Sequence, residues 1–361
     1  MPTIDLTLPH HRYVIDIAPG SLATLGPAVR DVAPHGRAAL VTHANVAETH
    51  ARTARASLEQ AGYDVTFTTI VPGEQHKTLA TVAKIYDTLL NAHIERTSPL
   101  VALGGGITGD TAGFAAATYL RGIPLIQVPT TLLAMVDASI GGKTGVNVPQ
   151  GKNLIGAFHQ PRRVIIDPDT LDTLPARELR AGLAECVKHA IIRDARLFDF
   201  LEQQHEHILS LDKPRLIELL ERNVRIKAAV VIEDEKEAGV RAHLNLGHTF
   251  AHAIEAGTDY GLYLHGEAVA LGLVAAAHLA ESRKLCPPGL LPRVEALLRA
   301  IGLPTRATDL PDDDCLMTAM RLDKKVAGGR IRLVLPTAMG EVGIFDDIPV
   351  DAIAAAWDAL R

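Results

Sequence analysis

Histidines 248 and 252, in Asn245-Leu-Gly-His-Thr-Phe-Ala-His252, have the i,i+4 spacing that sets two imidazoles on one helix face, as in zinc-binding helices. The chain contains 16 histidines, and about 0.7 such pairs are expected in it at random. Spacing alone therefore does not separate a functional pair from two satisfied or exposed imidazoles. The surroundings add weight. His265 opens His265-Gly-Glu-Ala-Val-Ala270, and Glu185 lies in Gly182-Leu-Ala-Glu-Cys-Val-Lys-His189. Both sit in otherwise apolar helical sequence, where a charge or an imidazole needs a partner. One carboxylate and two imidazoles, with a fourth position open, is the ligand set of a catalytic rather than a structural zinc.

A second constellation is Leu100-Val-Ala-Leu-Gly-Gly-Gly-Ile-Thr-Gly-Asp110, in which Gly104, Gly106 and Gly109 satisfy G-x-G-x-x-G. A strand running through glycines into a helix lets backbone N–H groups approach a pyrophosphate at the positive helix end. The pattern also fits a tight structural turn. It lies outside the first βα unit, and no acidic residue closes a second strand about 20 positions later, as the usual dinucleotide fingerprint requires.

The elements that must position these groups fall into two textures. Thr3–Leu8 and Tyr13–Ile17 read as a hairpin or edge pair, and 38–42 as a buried strand followed by a helix over 46–60. A strand at 64–71, a helix at 78–93, strands at 100–103 and 125–129 around an Ala-rich helix, and Val164-Ile-Ile complete an alternating order. That order predicts a Rossmann-like open parallel sheet with helices on its faces. From Pro175 onward the pattern is 3.6-periodic and long-helical, with turns near Lys213-Pro214 and Cys286–Gly289 and one late strand-like run, 331–336. Asp312–Asp314 reads as a solvated helix start. The expected organisation is an α/β domain over 1–172 and a mainly helical domain over 173–361.

Composition narrows the function classes. The 361 residues are 47% hydrophobic and 22% charged, which suits a cored, ordered protein of about two domains. A net charge of −6 without Lys/Arg blocks argues against non-specific nucleic-acid or membrane-surface binding, while leaving local basic pockets open. Three scattered cysteines fit a reducing cytoplasm rather than a disulfide framework. The N-terminus lacks the pattern of a signal peptide. The longest apolar stretch, Ala268–Ala277, falls short of the about 20 residues of a membrane span.

Several segments together carry a family resemblance: Pro72-Gly-Glu-Gln-His-Lys77, the 104–110 turn, Thr118-Tyr-Leu-Arg-Gly122, Pro129–Asp137, Gly141-Gly-Lys-Thr-Gly-Val-Asn147 and Gly151-Lys-Asn-Leu-Ile-Gly156. Gly182–Glu185 with Lys188, Arg241–Glu255, His265–Ala270 and Asp323-Lys-Lys325 continue it, so that the match spans nearly the whole chain in order. On these segments the sequence resembles the 3-dehydroquinate synthase family of sugar-phosphate cyclases, lyases of the shikimate pathway that leads to chorismate and the aromatic amino acids.

The resemblance implies a divalent metal, zinc or cobalt, on Glu185, His248 and His265, with His252 turned to the substrate phosphate instead. It implies NAD against Glu74, Lys77, Gly104, Gly105, Gly106, Asp110, Thr130, Thr131 and Lys152, with Leu171, Thr173 and Leu174 in the following turn. Asp137, Lys143, Lys188, Lys227, Arg241, Asn245 and His252 match the catalytic shell, and Asn153 and either Lys324 or Lys325 match substrate contacts. Arg121 matches a residue that reaches the neighbouring subunit's site, which implies a homodimer. His43 stands where many members carry an acidic residue near the adenosine ribose.

The implied substrate, 3-deoxy-D-arabino-heptulosonate 7-phosphate, carries a carboxylate and a phosphate. Lys227 and Arg241 suit the carboxylate. Lys143, Asn153, Asn245, His252 and Lys324/Lys325 suit the phosphate. The implied reaction is transient oxidation at C5, elimination of phosphate, re-reduction, ring opening and intramolecular aldol closure to 3-dehydroquinate. Two rivals differ by chemistry: a cyclase of the 2-deoxy-scyllo-inosose or valiolone type, whose substrate lacks the carboxylate, and a metal-dependent polyol dehydrogenase, which would release NADH.

Overall fold

A computed structural model of the chain describes residues 1–258, 261–322 and 331–361. They divide into two compact units, Met1–Leu174 with Leu216–Lys236, and Pro175–Arg215 with Glu237–Arg361.

In the first unit, β1 (Thr3–Thr7) and β2 (Arg12–Ile17) pair antiparallel. The helix α1 (Leu25–Val32) leads to β3 (Arg37–His43). A short turn of helix, α2 (Ala44–Val46), passes through a π-helical turn at Ala47–Ala51 into α3 (Arg52–Gln60). The alternation continues through β4 (Asp64–Ile70), α4 (Leu79–Asn91), β5 (Leu100–Gly104), α5 (Gly106–Thr118) and β6 (Leu125–Pro129). Next comes a hairpin, β7 (Lys143–Val148) with β8 (Gly151–Phe158), which the glycine-rich sequence did not announce, and then β9 (Arg163–Ile166).

Seven strands form one sheet in the order β1-β2-β9-β6-β5-β3-β4, parallel except for β1. The period-2 geometry of a strand sorts its residues between two cores. Leu40, Val101 and Leu103 pack with Leu25, Val29 and Leu58 on one face. Ala39, Val41, Leu100 and Ala102 pack with Val82, Ile85 and Leu89 on the other. Burying each of the larger side chains contributes about 1.5–3 kcal/mol, and covering both faces is what an all-apolar parallel strand requires. From β3 the chain moves outward to β4, then crosses back past β3 to β5. The carboxyl ends of β3 and β5 therefore flank a topological switch point, the usual position of a bound ligand in an open α/β sheet.

The helical stretch begins with α6 (Ala176–Arg193), α7 (Ala195–Leu209) and α8 (Lys213–Glu233). Residues of α8 from Leu216 onward belong to the first unit, a return that its helical periodicity did not reveal. The second unit continues with α9 (His248–Gly257), α10 (His265–Ser282), α11 (Leu290–Ile301) and α12 (Asp313–Leu322). It closes with an antiparallel hairpin, β10 (Leu333–Ala338) and β11 (Glu341–Phe345), and α13 (Val350–Asp358), whose buried Trp357 meets Phe250 of α9 edge-on at 4.9 Å. The late strand expected at 331–336 is the first half of that hairpin. No helix among the described residues is long and apolar enough to cross a membrane.

Candidate functional site

At the switch point of the first unit, His43 ends β3 and Gly104 ends β5. Gly105 is the N-cap of α5, and a Cβ there would lie 3.0 Å from the Thr131 side chain. Gly109 faces β6, where a Cβ would come within 2.8 Å of the Gln127 amide oxygen. The glycines thus keep backbone N–H groups accessible at the helix start and let α5 lie close on the sheet. Burial lowers the His43 pKa, so the imidazole there is neutral at pH 7 and brings no charge to the position.

Around this turn, expected nucleotide and substrate contacts join in one polar network. The buried Lys77 Nζ donates to Asp110 Oδ2 at 2.5 Å and to Asn153 Oδ1 at 2.6 Å. Asn147 Nδ2 donates to Glu74 Oε1 at 2.8 Å, while Asn147 Oδ1 accepts the Asn153 backbone N–H at 2.9 Å. Burial pushes the Asp110 carboxyl upward, against the opposing pull of the Lys77 charge. Asn147 belonged to a motif segment but to no expected role. Its part as the strut between Glu74 and Asn153 needs the β7–β8 hairpin to become visible.

Thr130 is buried, with its N–H bonded to Gly104 O at 3.0 Å; Thr131 Oγ1 accepts from Ala134 N at 3.2 Å. Leu171, Thr173 and Leu174 lie in or just beyond a 3-10 turn, Pro168–Thr173, where Thr173 Oγ1 meets His50 Nε2 at 2.8 Å. Lys143 starts β7, and Lys152 is the second residue of β8. Asp137, in a π-helical turn, pairs with the buried Lys227 of α8. Exposed Arg121 (φ 66°) lies in a turn where Leu120 (φ 50°) is also left-handed.

The second unit holds the carboxylate and imidazoles. Ligand atoms of Glu185 on α6, His248 at the start of α9 and His265 at the start of α10 all lie within 4.8 Å of one another. Close helix approach makes this possible. A Cβ on Gly266 would fall 1.9 Å from the Ala181 carbonyl oxygen of α6, and one on Gly272 would fall 2.1 Å from the Gly247 carbonyl oxygen, next to His248. Only glycine at these positions lets the backbones meet so tightly.

The donor set fits a divalent metal. His248 Nδ1 is 3.1 Å from Leu246 O, and His265 Nδ1 is 3.3 Å from Glu255 Oε1. A carbonyl or carboxylate can only accept, so each Nδ1 carries a proton, which leaves Nε2 as the nitrogen that would give its lone pair to a metal in exchange for its proton. Those Nε2 atoms stand 3.6 Å and 3.5 Å from Glu185 Oε1. Ligand atoms about 2.1 Å from a tetrahedral zinc are about 3.4 Å apart, close to the observed spacing. Without a metal, burial disfavours charge on His265, but hydrogen bonds to Glu185 and Glu255 outweigh it and its pKa is pushed up to about 10. The geometry is that of a cation site.

His252 stays beside this group, its ring centroid 5.7 Å from that of His248 and 6.5 Å from that of His265. Lys188, one turn after Glu185, pairs with it in the interior. Arg241 is 1% exposed, in a 3-10 segment that ends at Asn245, and Asn245 Nδ2 donates to Glu237 Oε1 at 2.9 Å. Glu237 and Glu255 were not among the expected site residues. Glu255 had a legible signal, a glutamate seven residues after His248 on the same apolar helix face. Lys324 and Lys325 lie outside the described residues.

Solved structures with this architecture define the class. A 2-epi-5-epi-valiolone synthase from Streptomyces hygroscopicus, solved with NAD+ and Zn2+ bound, is 31% identical, with a TM-score of 0.90 over 98% of both chains. A 2-deoxy-scyllo-inosose synthase complexed with carbaglucose-6-phosphate, NAD+ and Co2+ is 26% identical, with a TM-score of 0.88 over 99% of both chains. The fold is that of the sugar-phosphate cyclases. Within that class, the family model for the 3-dehydroquinate synthase N-terminal region matches residues 67–181, and the model for its C-terminal region matches residues 182–326. A 3-dehydroquinate synthase from Synechococcus sp. is 48% identical over 365 aligned residues, covering 99% of this chain and 98% of the relative. The chain belongs to the 3-dehydroquinate synthase family.

Proposed function

We propose that this chain converts 3-deoxy-D-arabino-heptulosonate 7-phosphate to 3-dehydroquinate and inorganic phosphate, as an enzyme of aromatic amino-acid biosynthesis. The observation that carries the reading is full-length similarity at nearly half identity to a relative named for that activity, against 31% and 26% for the two other cyclases. The overall reaction is a carbon–oxygen lyase step with cyclisation and no net redox change.

When bound, the dinucleotide supplies a reversible hydride acceptor and the divalent metal supplies Lewis acidity toward a substrate hydroxyl. Glu185, His248 and His265 would hold the metal; the residues about the 104–110 turn, with Glu74, Lys77, Lys152 and the 171–174 turn, would hold NAD. Arg241 offers the planar fork that binds a carboxylate by two parallel hydrogen bonds, and Lys227 adds a second positive charge. Lys143, Asn153, Asn245 and His252 provide donors for the phosphate, with Lys324 or Lys325 beside them. Lys188 and Asp137 orient substrate hydroxyls through charged hydrogen bonds. The departing phosphate takes the C6 proton on its own oxygen, so no protein base is assigned to that step.

The active form is a homodimer in the cytoplasm. Leu154, Ile155 and Phe158 are exposed on β8, and Leu120 is exposed beside Arg121. His159 Nε2 donates to Ile123 O at 2.9 Å and so joins the two segments into one surface. Exposed apolar side chains of this kind suit a second copy, toward whose site Arg121 would reach. The three cysteines are free thiols, in keeping with a reducing compartment.

Purified protein incubated with the keto acid phosphate, NAD and Zn2+ or Co2+ should release phosphate and 3-dehydroquinate in equal amounts without accumulating NADH. Chelator-stripped protein should lose the activity and regain it on metal addition. Accumulating NADH would point to a dehydrogenase, and turnover of a sugar phosphate lacking the carboxylate in place of the keto acid would point to a sister cyclase.

A further inference from the structure

The two imidazoles of the cation site are braced differently. His248 gives its Nδ1 proton to a neutral acceptor, the Leu246 carbonyl, two residues away in its own chain segment. His265 gives its Nδ1 proton to a carboxylate, Glu255 Oε1, on a different helix. Glu255 is 4% exposed and lies on α9, two turns beyond His248 and on the same face. One helix therefore donates a ligand at its first residue and reaches back with its seventh-next side chain to hold a ligand of α10. His265 is the less buried of the two imidazoles, with a side-chain exposure of 36% against 11%.

We propose that Glu255 is a positioning residue of the metal site, fixing the tautomer and ring orientation of His265 so that Nε2 faces the ion. The inference rests on the metal reading above. A carboxylate behind an imidazole also makes the ring a stronger donor, because it stabilises the partial positive charge that metal binding places on the ring. Glu255 further brings a second negative charge beside Glu185, so that the two carboxylates balance a divalent ion in a mostly buried setting.

The test measures metal affinity of the stripped full-length protein by competition with a chromophoric chelator, using Zn2+ and Co2+ and no substrate. The expected result is that Glu255→Ala weakens affinity by about tenfold to hundredfold. Glu255→Gln, which keeps the shape and one acceptor oxygen but not the charge, should fall between that variant and wild type. The visible spectrum of the Co2+ form should shift in Glu255→Ala, a change that mere loss of stability would not produce. Circular dichroism reports whether each variant folds; if Glu255→Ala does not, Glu255→Gln alone decides. Affinity within threefold of wild type in a folded Glu255→Ala, or in Glu255→Gln where that variant decides, overturns the proposal. His248→Ala and Glu185→Ala are the controls: if they too leave Co2+ affinity unchanged, the metal reading itself fails, whereas if they abolish binding and the Glu255 variants do not weaken it, only the positioning role fails.

Discussion

Arg241 is almost completely buried, so its guanidinium has little freedom to trade one partner for another. The planar fork matches a carboxylate in a way that the point charge of lysine does not. Arg241→Lys should therefore lower kcat/KM for the keto acid phosphate by about tenfold to hundredfold, the loss of one charge-assisted hydrogen bond of about 1.5–3 kcal/mol. Steady-state kinetics on the folded variant check this, and near-wild-type turnover would remove Arg241 from carboxylate recognition. Histidine chemistry away from the metal gives a second prediction at this scale. Burial lowers the pKa of His43, His50 and His159 below the ordinary 6.5. The unfolded chain then takes up protons first as the pH falls through 6.5, so stability is lost progressively from there down to the depressed folded values. Urea midpoints measured from about pH 7 to about pH 5 should decline, and replacing the three histidines by glutamine should flatten that decline.

At the scale of elements, the cation site depends on how closely α6, α9 and α10 approach. Gly272 is the test position, because a side chain there collides with backbone rather than with a flexible side-chain end. Gly272→Val should destabilise the protein by about 1–3 kcal/mol through overpacking, read as a lower denaturation midpoint, and should weaken metal uptake as α10 shifts from α9. Unchanged metal affinity in a destabilised variant would detach the helix packing from the site. On the first unit, the β7–β8 hairpin plays the matching part. Asn147 ties it to the 74–77 turn, and Asn153 accepts from Lys77 at φ 53°, a conformation that few non-glycine residues adopt.

For the whole molecule, the proposed dimer makes a prediction that no monomer shares. If Arg121 serves the neighbouring site, a protomer carrying Arg121→Ala and one carrying His248→Ala should each be nearly inactive alone. Unfolding and refolding them together should restore about a quarter of wild-type activity, since half of the dimers are mixed and each has one complete site. No recovery on mixing, with dimers present by sedimentation, would put Arg121 to work in its own subunit.

Much of this was legible in the residues. The parallel sheet follows from short, continuously apolar strands alternating with helical segments, and the 104–110 turn from glycines between a strand and a helix. The order of motifs along the chain was enough for the family resemblance, because each segment has its own local chemistry. Local signals could not tell which imidazoles join Glu185: the i,i+4 pair pointed to His248 with His252, the apolar surroundings also marked His265, and only the resemblance chose between them. Nor could they show that α8 returns to the first unit, since a helix's 3.6 period names its buried face and not the neighbour that covers it. Residues 185, 248 and 265 lie on three separate helices, and their meeting depends on backbone approaches at Gly266 and Gly272. The sequence by itself determined which side chains could bind a metal, a dinucleotide and an anion. The tertiary structure decided which of them share a few ångströms, because that distance is set by packing between elements and not by spacing within one.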